Sequence, residues 1–281
     1  MKDSNGKEIP AHILKRKGSI TTAGVPVVVQ KLLNQGLIET VNLVEWLIVD
    51  QEFLSRNLFQ EFGWNFLLGQ LREGFADPTL NTAPKKLELI GKVLSNFSPD
   101  KTLFNDAYNK LKDHQSDVVR SWACMMNGLR VELSLREKLN RIRPLAADKN
   151  QNVREVAWLA LRASIAEELP EALQMLKKFS KSTDANIRRF ASEATRPRGV
   201  WCSHITELKE TPEMGLPILE ALKSDSSKYV RDSVGNWLND ASKTKPDWVR
   251  ELCRNWEKNS PTAETAAIVR RALRTLNKTI D

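Results

Sequence analysis

Apolar residues recur three and four positions apart along most of this chain, which is the spacing that lines one face of an α-helix. Three examples are Leu43, Val44, Leu47 and Ile48; Leu87, Ile90, Val93 and Leu94; and Val230, Val234, Leu238 and Ala241. The alternation typical of a half-buried β-strand occurs nowhere over a useful length. Prolines such as Pro170 and Pro246 stand at the start of such stretches, where a helix tolerates a missing N–H. The pattern predicts an all-α protein.

A short signature repeats along the chain. It consists of a valine or isoleucine followed directly by arginine. The arginines are Arg120, Arg154, Arg188, Arg231 and Arg270, and successive ones are 34, 34, 43 and 39 residues apart. This period suits a pair of antiparallel helices per repeat, as in HEAT-like solenoids. Asp148 and Asp225 each lie six residues before an arginine of the signature. Part of this set is therefore expected to form a structural ladder between repeats.

The repeat predicts one HEAT-like domain, an α-α superhelix over residues 25–281, with N-terminal capping helices over 25–100 and repeats over 101–281. Residues 1–24 hold five basic residues against two acidic ones and are expected to form a flexible basic arm. The whole chain carries a formal net charge of +8, and residues 181–281 hold 18 basic against 14 acidic residues. Because equivalent residues of successive repeats line up, we expect a concave basic face.

Composition excludes several classes of protein. The three cysteines have neither disulfide nor zinc spacing, so no metal is expected and a reducing compartment is favoured. No apolar run approaches the roughly 20 residues of a membrane span. We therefore expect a cytoplasmic protein, nucleoid-associated if its source is bacterial. No metalloprotease, phosphate-loop, dinucleotide or nucleophile-elbow motif is present, so any chemistry must be carried by carboxylates.

Asp240 is a candidate carboxylate. It lies two residues past Leu238, about 200° round the helix from that buried position, and is therefore expected to point away from the core. It also falls in the last turn, where the helix dipole disfavours a negative charge. An unfavourable carboxylate indicates function, although a plain exposed aspartate fits equally well. Trp237 falls on the apolar stripe and is expected to be a core aromatic.

Trp158 is a candidate aromatic contact. The apolar stripe of its helix consists of Val153, Ala157, Ala160 and Leu161. Trp158 falls off that stripe and near Arg154, Glu155 and Arg162. An aromatic ring among arginines could stack on a base or a sugar edge. Packing between repeats is the alternative.

The segment from Arg196 to Trp201 is extra loop length that the repeat period does not explain, and such loops often carry function. Arg196 and Arg198 are expected to lack a ladder partner and so to contact phosphate. The surplus of basic residues favours salt-dependent binding of nucleic acid, with a solvated helix face as the alternative. The candidates for this binding are Arg154, Arg188, Arg189, Arg196, Arg198, Arg231 and Arg270.

Three segments carry a family resemblance. "NIRRFASEATRPRGVW" at 186–201, "DSSKYVRDSVGNWLNDASKTKPD" at 225–247 and "RRALRTLNK" at 270–278 resemble the HEAT-like DNA glycosylases of the AlkC/AlkD superfamily, and the AlkC branch more closely. The resemblance implies excision of N-alkylated, cationic purines such as 3-methyladenine from duplex DNA, without a cofactor. It also implies that Asp240 is the catalytic carboxylate and that Trp201 is one aromatic wall. We expect a monomer.

The chain departs from this family at one acidic position. Trp158 aligns with the family's catalytic acidic residue in an earlier repeat, and Glu155, one turn before it, is the candidate substitute. The leading hypothesis is a DNA-alkylpurine glycosylase. The alternatives are a non-catalytic DNA-binding member of the family, in which Trp158 stacks instead of a carboxylate acting, and a protein-binding HEAT scaffold.

Overall fold

The computed structural model describes residues 8–199 and 201–278, and its helices confirm the all-α prediction. The helices of the first half are α1 (Ala11–Leu14), α2 (Val27–Asn34), α3 (Leu43–Leu47), α4 (Gln51–Glu61), α5 (Leu68–Phe75), α6 (Ala83–Ser95), α7 (Lys101–Lys112), α8 (Asp117–Leu129) and α9 (Leu135–Ala146). Those of the second half are α10 (Gln151–Glu167), α11 (Leu169–Phe179), α12 (Ala185–Ala194), α13 (Thr206–Glu210), α14 (Leu216–Leu222), α15 (Lys228–Ala241), α16 (Pro246–Asn259), α17 (Ala263–Ala272) and α18 (Arg274–Lys278). None of these helices is both long enough and apolar enough to span a bilayer.

Contacts along the chain group it into two compact units. One holds the residues up to Ser134 together with Asp148–Ala160, and the other holds Leu135–Ala147 together with Leu161 onwards. In a repeat array each helix pair contacts mainly its neighbours in sequence, so the contacts of a repeat domain also divide readily along the chain. The single repeat domain over residues 25–281 therefore stays a prediction.

In the first unit, α8 packs against α6 and α7 and is buried along almost its whole length. Its neighbours approach closely where glycine removes a side chain. A Cβ at Gly91 of α6 would lie 2.4 Å from Cβ of Met125, and one at Gly128 of α8 would lie 2.1 Å from the carbonyl oxygen of Ala160. Glycine is therefore required for the stacking of these helices.

Residues 8–24 pack onto the first unit, so the prediction of a flexible arm is wrong for this stretch. Ile9 and Ile13 are buried. Arg16 donates through Nε and Nη2 to the carboxylate of Glu45, at 2.8 and 2.6 Å. The Glu45 side chain is 1% exposed, so its charge requires this partner. Residues 1–7 of the predicted arm lie outside the described residues.

In the second unit, α15 packs between α12 and α17, and each of the three also contacts a helix of an outer row. The members of that row are α11, α14 and α16. Paired helices stacked in this way are the HEAT-like arrangement that the repeat period predicts. Trp237 is completely buried, as expected for a core aromatic, and its indole N–H donates to the carbonyl of Thr195 at 2.9 Å.

The signature arginines form the predicted ladder. Arg120, Arg154, Arg188 and Arg231 each donate through Nη1 to the two carbonyls six and five residues before them. In this way each arginine closes its own inter-helix loop. Arg120 also donates to Asp148, and Arg188 to Asp225, the aspartates of the next repeat. The ladder prediction is confirmed for these two pairs.

Candidate nucleic-acid interface

The C-terminal ends of α12 and α15 bring three charged side chains together in the second unit. Arg196, two residues after the end of α12, donates through Nε to Oδ2 of Asp240 at 2.8 Å, and its Nη2 forms an ion pair with the same oxygen at 2.7 Å. Its third nitrogen, Nη1, donates to Oε1 of Glu193 at 2.8 Å. Arg196 therefore bridges a carboxylate of its own repeat and one of the next. This cluster of Glu193, Arg196 and Asp240 is called the carboxylate bridge below.

The carboxylate bridge is buried. The Glu193 and Asp240 side chains are each 5% exposed and that of Arg196 is 12% exposed. Burial alone would raise the pKa of Glu193, but Arg189 and Arg196 outweigh it and hold this pKa below its ordinary value. Burial also opposes the charge of Arg196, yet Glu193 and Asp240 raise the pKa of Arg196. The guanidinium group of Arg196 therefore offsets the burial of the carboxylates on either side of it.

Asp240 does not lie where the helix periodicity places it. Its direction away from the α15 core stripe was predicted to reach solvent, but the residue is buried at 3% exposure. The loop that follows α12 covers this face of α15, and Arg196 extends over the carboxylate. Lys243 is a second cation, with Nζ 3.4 Å from Oδ1. These two cations offset the unfavourable end of the helix dipole.

Arg196 also differs from its prediction. It was expected to be a loop arginine without a partner, and the two carboxylates make that expectation wrong. Its main chain is held as well, because Arg162 of α10 donates through Nη1 to the carbonyl of Ala194, at 2.8 Å, and through Nη2 to that of Arg196. The sequence pattern assigned no role to Arg162 or Glu193. Glu193 could have been found from its place in the segment at 186–201 that carries the family resemblance.

Trp201 is 72% exposed and adopts a φ of 63°, the left-handed region that side chains other than glycine rarely enter. Such a conformation costs about 1–2 kcal/mol. Arg198, before it, is half-buried, and its Nε has no hydrogen-bond partner within residues 8–199 and 201–278. The exposed indole ring of Trp201 and the unsatisfied Nε of Arg198 therefore belong to residues only three positions apart in this loop. Their assignment to base and phosphate stays a prediction.

Trp158 and Glu155 lie next to each other in the first unit. Trp158 is 6% exposed, so the expectation that it would stand off the core on a polar face is wrong. Its indole N–H donates to Oε2 of Glu155 at 2.7 Å. The tryptophan thus occupies one oxygen of the carboxylate that was predicted to substitute for the family's acidic residue.

The remaining DNA-binding candidates differ in their surroundings. Arg188 belongs to the ladder, and Arg154 and Arg231 donate to the carbonyls of their own loops. Arg189 lies 4.2 Å from the centre of the Tyr229 ring and 3.5 Å from Glu193. Arg270 is exposed. A role in DNA binding stays a prediction for all five.

A family model described as DNA alkylation repair enzyme matches residues 136–276, just over half of the chain. The chain belongs to this family. Its predicted membership of the AlkC/AlkD superfamily is confirmed by that match and by the first of two similar solved structures. One is the alkylpurine DNA glycosylase AlkC of Pseudomonas fluorescens, bound to DNA containing an abasic-site analogue, which has 27% identity and a TM-score of 0.61 over 75% of this chain. The other is AlkD2 of Streptococcus mutans, which at 23% identity and a TM-score of 0.55 over 78% of this chain and 97% of its own supports the fold alone.

This family member matches only part of its longer relatives. It spans 57% of AlkC. It also resembles the uncharacterized protein YhaZ of Bacillus subtilis strain 168, with 40% identity over 119 residues, which is 42% of this chain and 33% of that protein. The closer kinship with the AlkC branch stays a prediction.

Proposed function

We propose that this protein binds double-stranded DNA and is a DNA glycosylase that excises N-alkylated, cationic purines. The observation that carries this proposal is the buried Asp240 carboxylate, held by Arg196, in a chain of the DNA alkylation repair enzyme family. Further support comes from AlkC, a similar protein that is named as an alkylpurine DNA glycosylase.

The chemistry suits a single well-held carboxylate. Alkylation gives the base a positive charge and weakens its bond to the sugar, so the developing oxocarbenium ion needs an anion near C1′ and an oriented water. Arg196 holds Oδ2 of Asp240 through an Nε hydrogen bond and an Nη2 ion pair, whereas within the described residues Oδ1 has only the longer contact from Lys243. We assign Oδ1 to the sugar and the water. In this assignment Trp201 contacts the alkylated nucleotide, by cation–π attraction, and Arg198 contacts the DNA backbone.

The test is release of methylated bases from alkylated duplex DNA. We expect the wild type to release 3-methyladenine and Asp240→Asn to lose excision while keeping nearly all its DNA affinity. The matched control is Asp247→Asn, the same chemical change at an exposed position of the second unit, and it should excise normally. Excision that survives in Asp240→Asn would refute the catalytic assignment.

A second candidate function is DNA binding without catalysis. It is favoured by Trp158, which stands at the family's acidic position and donates to Glu155. In this case the wild type binds DNA in a salt-sensitive way and releases no base. Trp158→Glu tests the reason, because a gain of excision would identify the substitution that removed activity.

A further inference from the structure

Arg231 lacks the aspartate partner in the next repeat that Arg120 and Arg188 each have. Nε of Arg120 donates to Asp148 at 2.7 Å, and Nε of Arg188 donates to Asp225 at 2.6 Å. Nε of Arg231 is buried and has no hydrogen-bond partner in the part of the chain that the structure describes. Its guanidinium group therefore lacks the anion that completes the equivalent groups.

The next repeat does not supply that anion. Counted back six residues from Arg270, the position of Asp148 and Asp225 is taken by Glu264, which lies within α17 instead of the loop before it. Within residues 201–278, Glu264 makes no ion pair with Arg231. An anion from outside the chain would take the place of the missing aspartate and compensate the unpaired guanidinium group.

Arg231 lines a groove between α15 and α17 that is rich in positive charge. The groove has a volume of about 410 Å³ and is lined by Lys228, Arg231, Asp232, Ala267, Arg270, Arg271 and Arg274. Five of these are cations and one is an anion. Asp232 pairs with Lys228, at 2.5 Å, and with Arg271, at 2.8 Å. In the described stretches, Arg231, Arg270 and Arg274 have no carboxylate partner.

The geometry points to this groove as a binding site for phosphodiester groups of a DNA strand. The guanidinium group of Arg231 would bind a phosphate oxygen in the place of the missing aspartate, and Arg270 and Arg274 would neutralise the adjacent charge. Guanidinium groups suit this ligand because their N–H fork matches two phosphate oxygens. The inference rests on the DNA binding of the proposed function, and it is independent of excision.

The test measures affinity for an undamaged DNA duplex by fluorescence anisotropy at several salt concentrations, so that no catalysis is involved. The variant Arg270→Gln/Arg274→Gln removes two exposed cations of the groove. The matched control, Lys177→Gln/Lys181→Gln, removes two exposed cations elsewhere in the second unit. Each lost phosphate contact should reduce the log–log salt slope by about 0.9, which corresponds to roughly eightfold weaker binding at 0.1 M salt.

We expect the groove variant to lose about two units of slope and the control to lose none. Equal affinities and slopes for the two variants would overturn the inference. Binding of an oligoglutamate peptide that the groove variant loses, together with DNA binding that it keeps, would also overturn it. Arg231→Lys is a second probe. It keeps the charge but loses the guanidinium group, including the two Nη1 bonds that close the loop, so its melting temperature should fall. At a temperature where the variant is still folded, it should bind DNA more weakly than the wild type, and unchanged affinity would overturn the inference. Salt-sensitive binding without base release would refute the glycosylase and leave this site intact.

Discussion

Arg196→Gln should destabilise the second unit because it removes the cation of the carboxylate bridge. Glu193 and Asp240 would then stay buried, each 5% exposed. They would lose the guanidinium group, which contacts Asp240 through Nε and Nη2 and Glu193 through Nη1. Removing one partner of a buried ion pair typically costs about 3–5 kcal/mol. Arg189 and Lys243 remain near the two carboxylates, at 3.5 and 3.4 Å, so we expect about 3 kcal/mol.

The loss should depend on pH in a defined direction. In the wild type the folded-state pKa of Glu193 lies below its ordinary value of 4.5. Its contribution to stability is therefore complete above pH 4.5 and is lost as the pH falls through the folded-state pKa. Without Arg196, burial disfavours the carboxylate, so protonation of Glu193 relieves the variant. The difference in the free energy of unfolding should be largest near pH 7 and should shrink below about pH 4.5.

Urea unfolding followed by circular dichroism at pH 7 and pH 4 measures this difference. The control is Arg136→Gln, which breaks the exposed pair with Glu171 at 3.4 Å and should cost less than about 1 kcal/mol. The reasoning is refuted if Arg196→Gln costs no more than this control. A loss of equal size at both pH values would also refute it, because that result would indicate packing instead of charge.

Two further predictions concern the first unit. Burial lowers the pKa of His114 to about 4. As the pH falls, the unfolded chain therefore binds a proton at this residue before the folded chain does, and wild-type stability should fall between about pH 6.5 and pH 4. His114→Gln should flatten that part of a urea-unfolding pH profile, and an unchanged slope would contradict the burial argument. Gly128→Ala should lower the free energy of unfolding by about 1–3 kcal/mol through overpacking, because its Cβ would lie 2.1 Å from the carbonyl oxygen of Ala160. Urea unfolding measures this loss. Gly63→Ala is the comparison, because Gly63 has open space around it but a positive φ, so any loss in that variant reports backbone strain without a steric clash.

The all-α fold, the repeat period and the ladder were predictable because each depends on residues close together in the chain. Apolar spacing determines which face of a helix is buried. An arginine that reaches the carbonyls of its own loop uses a local geometry that recurs whenever the loop recurs. For the same reason, Trp237 was correctly predicted to lie in the core, and Asp148 and Asp225 were found from their spacing to the signature arginines.

The surroundings of the candidate site were decided by tertiary structure alone. Periodicity predicted the direction in which Asp240 leaves α15, but the loop after α12 lies in that direction, 44 residues away from Asp240 along the chain at Arg196. Trp158 was placed off its helix stripe and is nevertheless buried. A helical pattern defines angles about one axis, whereas burial depends on which distant segment covers each face. The helices, their repeat and the candidate functional residues therefore follow from local sequence patterns. Which charged side chains come into contact depends on how the helices pack, because packing brings together residues that are far apart in the chain.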